Sequence, residues 1–192
     1  MGLKVVTPPE IEPIDTLEAK EHLRITHNNE DNVIDALIAT AREVCEKKSN
    51  RSLMEKTLKL TFNSWPEFPV ELPRPPLIEV VKIEYKNSEG TLIEWDSANY
   101  EIDDSSFIPK THLASDYDIP SDELSNVNAI QITYKAGYSI RDNIPARYKH
   151  AIKLLVGEWY NNREQVVNSG AVPQSIPDGV DVLLGLDRVV PT

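Results

Sequence analysis

The sequence predicts an α+β protein with a small helical core and an inserted antiparallel β block at about residues 57–135. Apolar residues recur with a helical period in two N-terminal segments. The period changes to two at residue 57, which is typical of half-buried strands, and the helical period returns at 145–163. A chain of 192 residues fits one domain of ordinary size, so we expect a single domain over 1–192.

The N-terminal part predicts an extended arm and two helices. Pro8, Pro9 and Pro13 disfavour a helix over 1–14. Asp15 with Glu18 forms the pattern of a capping box, which begins a short helix. A second helix is expected from a cap at 28 or 29 to about residue 49. Its apolar stripe is Ile34, Leu37, Ile38, Ala41, Val44 and Cys45, and Asn50 suits a left-handed C-cap.

The β block is predicted from alternating apolar and polar residues. The alternation favours strands at 57–62 and 81–86, a hairpin return at 91–95, and a strand at 130–135. Segments 100–102 and 107–108 are further strand candidates. Residues 110–128 are polar, and we expect them to be irregular.

The C-terminal part predicts one long helix, a loop and a short helix. Pro145 suits the first helical position, and the stripe that follows extends to about Arg163. A C-terminal loop and tail is expected over 165–192, with Pro177 opening a last helix that carries Val180, Leu183 and Leu184. We expect Leu37, Ile38, Ala41, Leu155 and Trp159 to be largely buried, and Cys45 to be a packing residue rather than a nucleophile.

Composition excludes several classes of protein. Twenty Lys and Arg stand against 31 Asp and Glu, a net charge of −11, which argues against ordinary DNA binding because binders of the DNA backbone concentrate cations. No apolar run approaches the ~20 residues of a membrane span, and the N-terminus lacks the apolar core of a signal peptide. The single cysteine cannot form an internal disulfide, which fits a reducing compartment.

The sequence carries no recognised pattern for catalysis, a cofactor or a metal. The four histidines are scattered, and the phosphate-binding glycine motifs and the nucleophile-elbow motif are missing. The acids Asp116, Asp118, Asp122 and Glu123 resemble a calcium loop, but Pro120 and Ser121 stand where the EF-hand pattern requires an oxygen ligand and a glycine. We therefore assign no catalytic, cofactor or metal residue.

Several segments together resemble the tailed-bacteriophage head–tail connectors, the head-completion adaptors often labelled as DNA-packaging proteins. The similar segments occur in the family's order and cover nearly the whole chain. They are TPP at 7–9, LEAKEHLRI at 17–25, LIATARE at 37–43, NRSL at 50–53, LPRPPL at 72–77, YKAGY at 134–138, IP at 144–145 and LLVGEWYNNRE at 154–164. The simplest members are almost wholly helical, and one branch shares the strand block.

The resemblance implies a structural role in the virion, at the head–tail junction, after assembly in the bacterial host cytoplasm. It implies a ring of roughly a dozen copies beneath the portal protein that extends the DNA channel, seals the packaged genome and docks a tail-side head-completion or stopper protein. Double-stranded DNA would pass through the lumen without specific binding, since an acidic wall repels phosphate. It implies neither a cofactor nor a membrane.

The interaction surfaces expected from the sequence are the arm at 1–14 and the tail at 165–192, which have few apolar anchors of their own. The residues that we expect to contact partners are Arg163, Glu164, Pro173, Asp178 and Arg188. Two alternatives stay open at this point. One is a metal-dependent phage nuclease or hydrolase that uses the excess of carboxylates, and the other is a monomeric assembly adaptor or chaperone. Whether the ring forms away from the capsid is also open, with a monomer in isolation as one possibility.

Overall fold

Residues 1–162, 178–186 and 188–189 are described by the structure, which is a computed structural model. The chain divides into two compact units. The β unit comprises residues 1–10 and 55–138. The helical unit comprises residues 11–54 and the described residues from 139 onwards.

In its described part, the helical unit contains α1 (Thr16–Leu23), α2 (Asp31–Ser49), α3 (Ala146–Asn161) and α4 (Asp178–Gly185). Helix α2 packs along α3, α1 contacts both, and α4 packs on α3 and α2. This confirms the predicted helical core. None of the described helices combines the length and the apolar character that crossing a bilayer requires.

The helix ends follow local side-chain chemistry. The capping box is confirmed: Asp15 accepts a hydrogen bond from the Glu18 backbone, and the Glu18 side chain accepts one from the Asp15 backbone. Asn50 ends α2 in the left-handed region, with φ of 55°. Two predictions were wrong by a residue or two. Glu30 precedes α2 because the Asn28 side chain instead accepts a hydrogen bond from Lys20, and Pro145 is the N-cap of α3 rather than its first residue.

The core of the helical unit follows the predicted stripes. Its members include Ile34, Ile38, Ala41, Cys45, Tyr148, Ala151, Ile152, Leu155, Val156, Val180, Leu184 and Val189. Leu37 and Trp159, which we expected to be largely buried, are only partly buried. The expectation of a weakly anchored tail was also wrong for its described part, because Val180, Leu184 and Val189 are buried.

The β unit contains two antiparallel sheets. The strands are β1 (Gly2–Thr7), β2 (Lys56–Phe62), β3 (Val70–Glu71), β4 (Leu77–Lys86), β5 (Leu92–Trp95), β6 (Tyr100–Asp103), β7 (Lys110–Leu113) and β8 (Ile130–Ala136). Five form a sheet in the order β1-β2-β8-β4-β5, and three form a sheet in the order β3-β7-β6. The predicted antiparallel block is thus confirmed.

The structure corrects three details of the predicted β block. Much of the expected arm is a strand, β1, which pairs with β2. Strand β7 lies in the stretch expected to be irregular, where Thr111 is fully buried, and 107–108 forms no strand. Strand β4 carries a register shift between Val80 and Lys82, so Val81 is exposed although a strict alternation would have placed it with the buried Ile83 and Tyr85.

One face of the five-stranded sheet carries the core of the β unit. Its cross-strand pairs include Leu58 with Tyr134, Leu60 with Ile132, and Ile83 with Trp95. Aromatic rings extend this core, since the centroid of Trp65 lies 4.9 Å from that of Trp95 and 5.9 Å from that of Tyr85. We call this side of the sheet its core face and the opposite side its outer face.

Candidate interaction surfaces

Of the five predicted contact residues, two belong to the described part of the chain. Arg163, Glu164 and Pro173 lie outside it. Asp178 is the first residue of α4. Arg188 is exposed and lines a cleft in the helical unit.

This cleft lies between the C-terminal half of α2 and the segment that carries α4. Its volume is about 640 Å³, and its lining is Val44, Lys47, Lys48, Asp181, Leu184, Gly185 and Arg188. Three cations therefore face one carboxylate, around the apolar side chains of Val44 and Leu184. The lining is cationic although the protein as a whole carries a net charge of −11.

Local hydrogen bonds position the cations of the cleft. The left-handed Asn50 turns the chain at the end of α2, and its side-chain amide donates to the Val189 carbonyl at 2.8 Å. The Val189 N–H in turn donates to the Ser49 carbonyl at 3.0 Å. These bonds hold Arg188 beside the C-terminus of α2, where helix carbonyls favour positive charge. Lys48 is paired with Asp181 at 2.6 Å.

A buried network of ion pairs stabilises α2. Arg42 binds Glu12 at 2.7 Å and Glu46 at 3.0 Å. Burial alone lowers the pKa of Arg42, but Glu12 and Glu46 outweigh that effect and raise it, so the guanidinium stays charged. Glu46 also accepts a hydrogen bond from the Leu53 N–H at 2.8 Å. The network therefore fixes the chain after α2 and serves the fold rather than a ligand.

The outer face of the five-stranded sheet is polar and rich in lysine. Its charged residues are Lys4, Lys59, Lys82, Lys86, Lys135, Glu79, Glu84 and Glu94. Lys59, Lys82 and Lys135 contact Gln131, Glu84 and Glu79, respectively. Lys4 lies directly opposite Lys59 and has no ion-pair partner among the described residues. Like charges placed directly opposite each other destabilise a strand pair, so Lys4 is unfavourably placed beside Lys59 within one copy.

The acidic segments of the β unit are held by hydrogen bonds within the unit. Asp122 accepts one from the Tyr85 hydroxyl at 2.9 Å. Hydrogen bonds from Ser105 and Ser106 lower the pKa of Asp103 to about 2. Among the residues that the structure describes, no three His, Cys, Asp or Glu side chains come together in a way that could hold a metal ion. The nuclease alternative therefore gains no support.

Comparison with known proteins gives the family. Residues 14–114 match the family model described as phage gp6-like head-tail connector protein. The chain belongs to this family. Its role is therefore structural, that of a head–tail connector.

Solved structures share the connector's fold over the whole chain. The first is titled "Neck of empty GTA particle computed with C6 symmetry" and has a TM-score of 0.81. The others are the virion of a native gene transfer agent (GTA) particle, at 0.80, and the neck of a native GTA particle computed with C12 symmetry, at 0.79. Each is 20% identical and covers 100% of this chain and 97% of its own. No curated protein matches the connector's sequence.

Two features of these surfaces were not predicted from the sequence. Lys47 and Lys48 were visible only as cations in the last turn of α2, and nothing local indicates that Arg188 folds back beside them. The exposed sheet edge at β1 was also missed, since its prolines predicted an arm. The alternation of Leu3 and Val5 with Lys4 was the available signal for a strand.

Proposed function

We propose that the connector acts as a ring in the neck of a phage-like virion, under the portal protein. The observation that carries this is the match of its fold, over the whole chain, to chains of virion necks, one of them computed with C12 symmetry. A ring needs a head-to-tail contact between two different surfaces of the same protein. The ring extends the DNA channel from head to tail, and the protein reaches it from the host cytoplasm during assembly.

The ring works without catalysis, by geometry and charge. A net charge of −11 per copy makes the assembled ring strongly acidic. Phosphates passing close to such a wall are repelled, and at physiological ionic strength the repulsion extends over about 8 Å. DNA in the lumen therefore slides rather than sticks. The ring seals the packaged genome together with the tail-side protein that it docks.

Two classes of partner follow from this position: the portal above the ring and a tail-side head-completion or stopper protein below it. Arg188 contacts an acidic side chain of a neighbouring chain, because it is an exposed cation beside Lys47 in a cationic cleft. Asp178, Arg163, Glu164 and Pro173 belong to the same C-terminal region and remain proposed contacts.

The test uses DNA-filled heads made without this connector. Purified protein added to such heads restores infectious particles, and microscopy reveals a new twelvefold ring beneath the portal. If the protein restores particles but is missing from them, the monomeric adaptor or chaperone alternative is correct. DNA degradation that depends on a divalent metal and is lost on mutating acids would instead support the nuclease alternative.

A further inference from the structure

The five-stranded sheet has two open edges. Its order places β1 at one end and β5 at the other. Among the described residues, the backbone of β1 pairs only with β2, and that of β5 pairs only with β4. Within the described part of the chain, the outward N–H and C=O groups of both strands therefore have no strand partner and can pair with another strand.

The edge at β1 is exposed and apolar. All six of its residues are exposed, and they include Leu3, Val5 and Val6. Leu3 is 39% and Val5 48% exposed, although their partners Leu60 and Leu58 are fully or almost fully buried. At the other edge, Leu92 is 47% exposed. Exposed apolar edge strands promote association, and soluble proteins usually protect them.

The two edges are complementary in charge. Strand β1 carries Lys4 and no acid, and strand β5 carries Glu94 and no base. Both side chains lie on the outer face of the sheet, because Lys4 is opposite Lys59 and Glu94 is opposite Glu84. Lys4, which is poorly placed beside Lys59 within one copy, would gain a carboxylate partner if the edge of a second copy lay next to it.

The strand directions are also compatible. Every neighbouring pair in the order β1-β2-β8-β4-β5 is antiparallel, so the two edge strands run in the same direction. A sheet that continues from one copy into the next therefore pairs β5 with β1 in parallel. Placing Lys4 beside Glu94 brings Leu3 beside Ile93 and Val5 beside Trp95. These four apolar residues all belong to core-face positions of their own strands.

We propose that the β5 edge of one connector binds the β1 edge of the next, in parallel and with Lys4 beside Glu94. The inference rests on the proposed ring and names one of its contacts. The occupant of each edge is a second copy of this chain, and the contact is head-to-tail because the two edges differ. Backbone hydrogen bonds supply the attraction, and the Lys4–Glu94 pair selects the register.

Disulfide cross-linking tests this pairing. Cys45, the chain's only cysteine, is fully buried, so any disulfide between copies forms through the cysteines introduced at the surface. Neighbouring strands of a sheet lie about 4.7–4.9 Å apart, so residues side by side on them are close to the reach of a disulfide. The double variant Lys4→Cys/Glu94→Cys is oxidised at high protein concentration and run on a non-reducing gel. We expect a ladder of dimers, trimers and larger species that disappears with reductant.

Two controls make the ladder specific. Each single variant carries one new thiol, so it can form no cross-linked species larger than a dimer. The pair Lys4→Cys/Lys82→Cys keeps both thiols on the outer face but moves one to the interior strand β4, and we expect no ladder from it. A ladder of equal strength from this control would overturn the proposal.

The pairing and the ring can fail separately. If the Lys4→Cys/Glu94→Cys variant gives no ladder, the edge pairing is wrong, whether or not microscopy shows rings. Rings without a ladder reject only this contact and leave the proposed function standing. A ladder from a protein that never closes into rings supports the edge pairing and contradicts the ring.

Charge exchange tests the register independently. By sedimentation at low salt, Lys4→Glu and Glu94→Lys should each weaken self-association about 2–5-fold, the effect of one exposed ion pair. The double variant Lys4→Glu/Glu94→Lys restores the pair with its polarity reversed, and we expect it to recover most of the loss. Two single effects that simply add in the double variant would show that these residues do not meet.

Discussion

Arg42 and Glu46 form a buried ion pair one helical turn apart, with 3.0 Å between Nη1 and Oε2 and each side chain only 8% exposed. The other oxygen of Glu46 accepts the Leu53 N–H at 2.8 Å. One carboxylate thus neutralises a buried cation and holds the chain that leaves α2. Removing it leaves the Leu53 N–H without its acceptor and leaves Arg42 with Glu12 as its one close carboxylate, and an unsatisfied buried donor costs more than an intact hydrogen bond contributes.

Glu46→Ala should therefore destabilise the helical unit by about 1–3 kcal/mol. Glu43→Ala is the matched control, because Glu43 also faces Arg42, at 3.8 Å, but is 72% exposed. We expect the control to cost less than about 0.5 kcal/mol, as exposed ion pairs do. Urea unfolding followed by circular dichroism measures both. Equal losses in the two variants would contradict the role given to Glu46.

Leu155 tests the packing between α3 and its neighbours. It is fully buried, and Leu155→Ala should lower the free energy of unfolding by about 2–5 kcal/mol, through lost burial and the cavity that remains. Leu17→Ala in α1 removes the same atoms from a side chain that is 65% exposed, so we expect little change. A loss below about half a kcal/mol at Leu155 would mean that this face of α3 is not core.

The helices were predictable because their signals are local. The Asp15–Glu18 capping box and the left-handed Asn50 each depend on residues within one turn, and both formed as expected. The stripe in α2 specified its buried face. Leu37 and Trp159 are less buried than the other residues of their stripes because they lie at the margin, where burial depends on neighbouring elements rather than on the helix itself.

Features that depend on distant contacts were not predictable. Strand β1 has prolines after it and becomes a strand only because β2, more than fifty residues later, supplies its hydrogen bonds. Arg188 reaches the end of α2 through the contact between Asn50 and Val189, which are 139 residues apart. The cationic cleft could therefore not be inferred from either segment alone.

Cys45 should be unreactive in the folded protein. Burial, assisted by Glu46, raises the pKa of its thiol to about 12. At pH 8 the thiolate is then about a thousandfold rarer than in the unfolded chain, where the pKa is 9.0. A disulfide reagent such as DTNB should label the native protein far more slowly than the protein unfolded in guanidinium. Equal labelling rates would show that the reagent reaches Cys45 in the folded protein.

The same shift predicts a loss of stability in alkali. A thiol whose pKa is raised from 9.0 to about 12 by folding stabilises the protein fully below pH 9, and that contribution is lost as the pH rises towards 12. The variant Cys45→Ala has no thiol to ionise, so its stability does not fall in this way. The packing energy that it loses is the same at every pH. The difference in free energy of unfolding between wild type and variant should therefore narrow by about 1–2 kcal/mol between pH 9 and 10.5. The wild type loses about 1.4 kcal/mol for each pH unit in this range. Urea unfolding at several pH values measures it, and a constant gap would contradict the prediction.

Arg188→Glu tests the cationic cleft in the assembled particle. The residue is exposed, so the variant should fold and lose no more than about 1 kcal/mol of stability at the C-terminus of α2. Reversing its charge beside Lys47 and Lys48 removes the attraction for an acidic partner. In heads that lack the connector, we expect the variant to restore fewer infectious particles than wild type, with the deficit growing as salt is lowered, because unscreened repulsion then acts further. Arg24→Glu is the matched control: it makes the same charge change at an exposed residue that does not line the cleft, and it should restore particles at wild-type yield. If Arg188→Glu restores particles as well as Arg24→Glu at every salt concentration, the cleft does not contact a partner in the neck. If both fail alike, net charge rather than the cleft governs assembly.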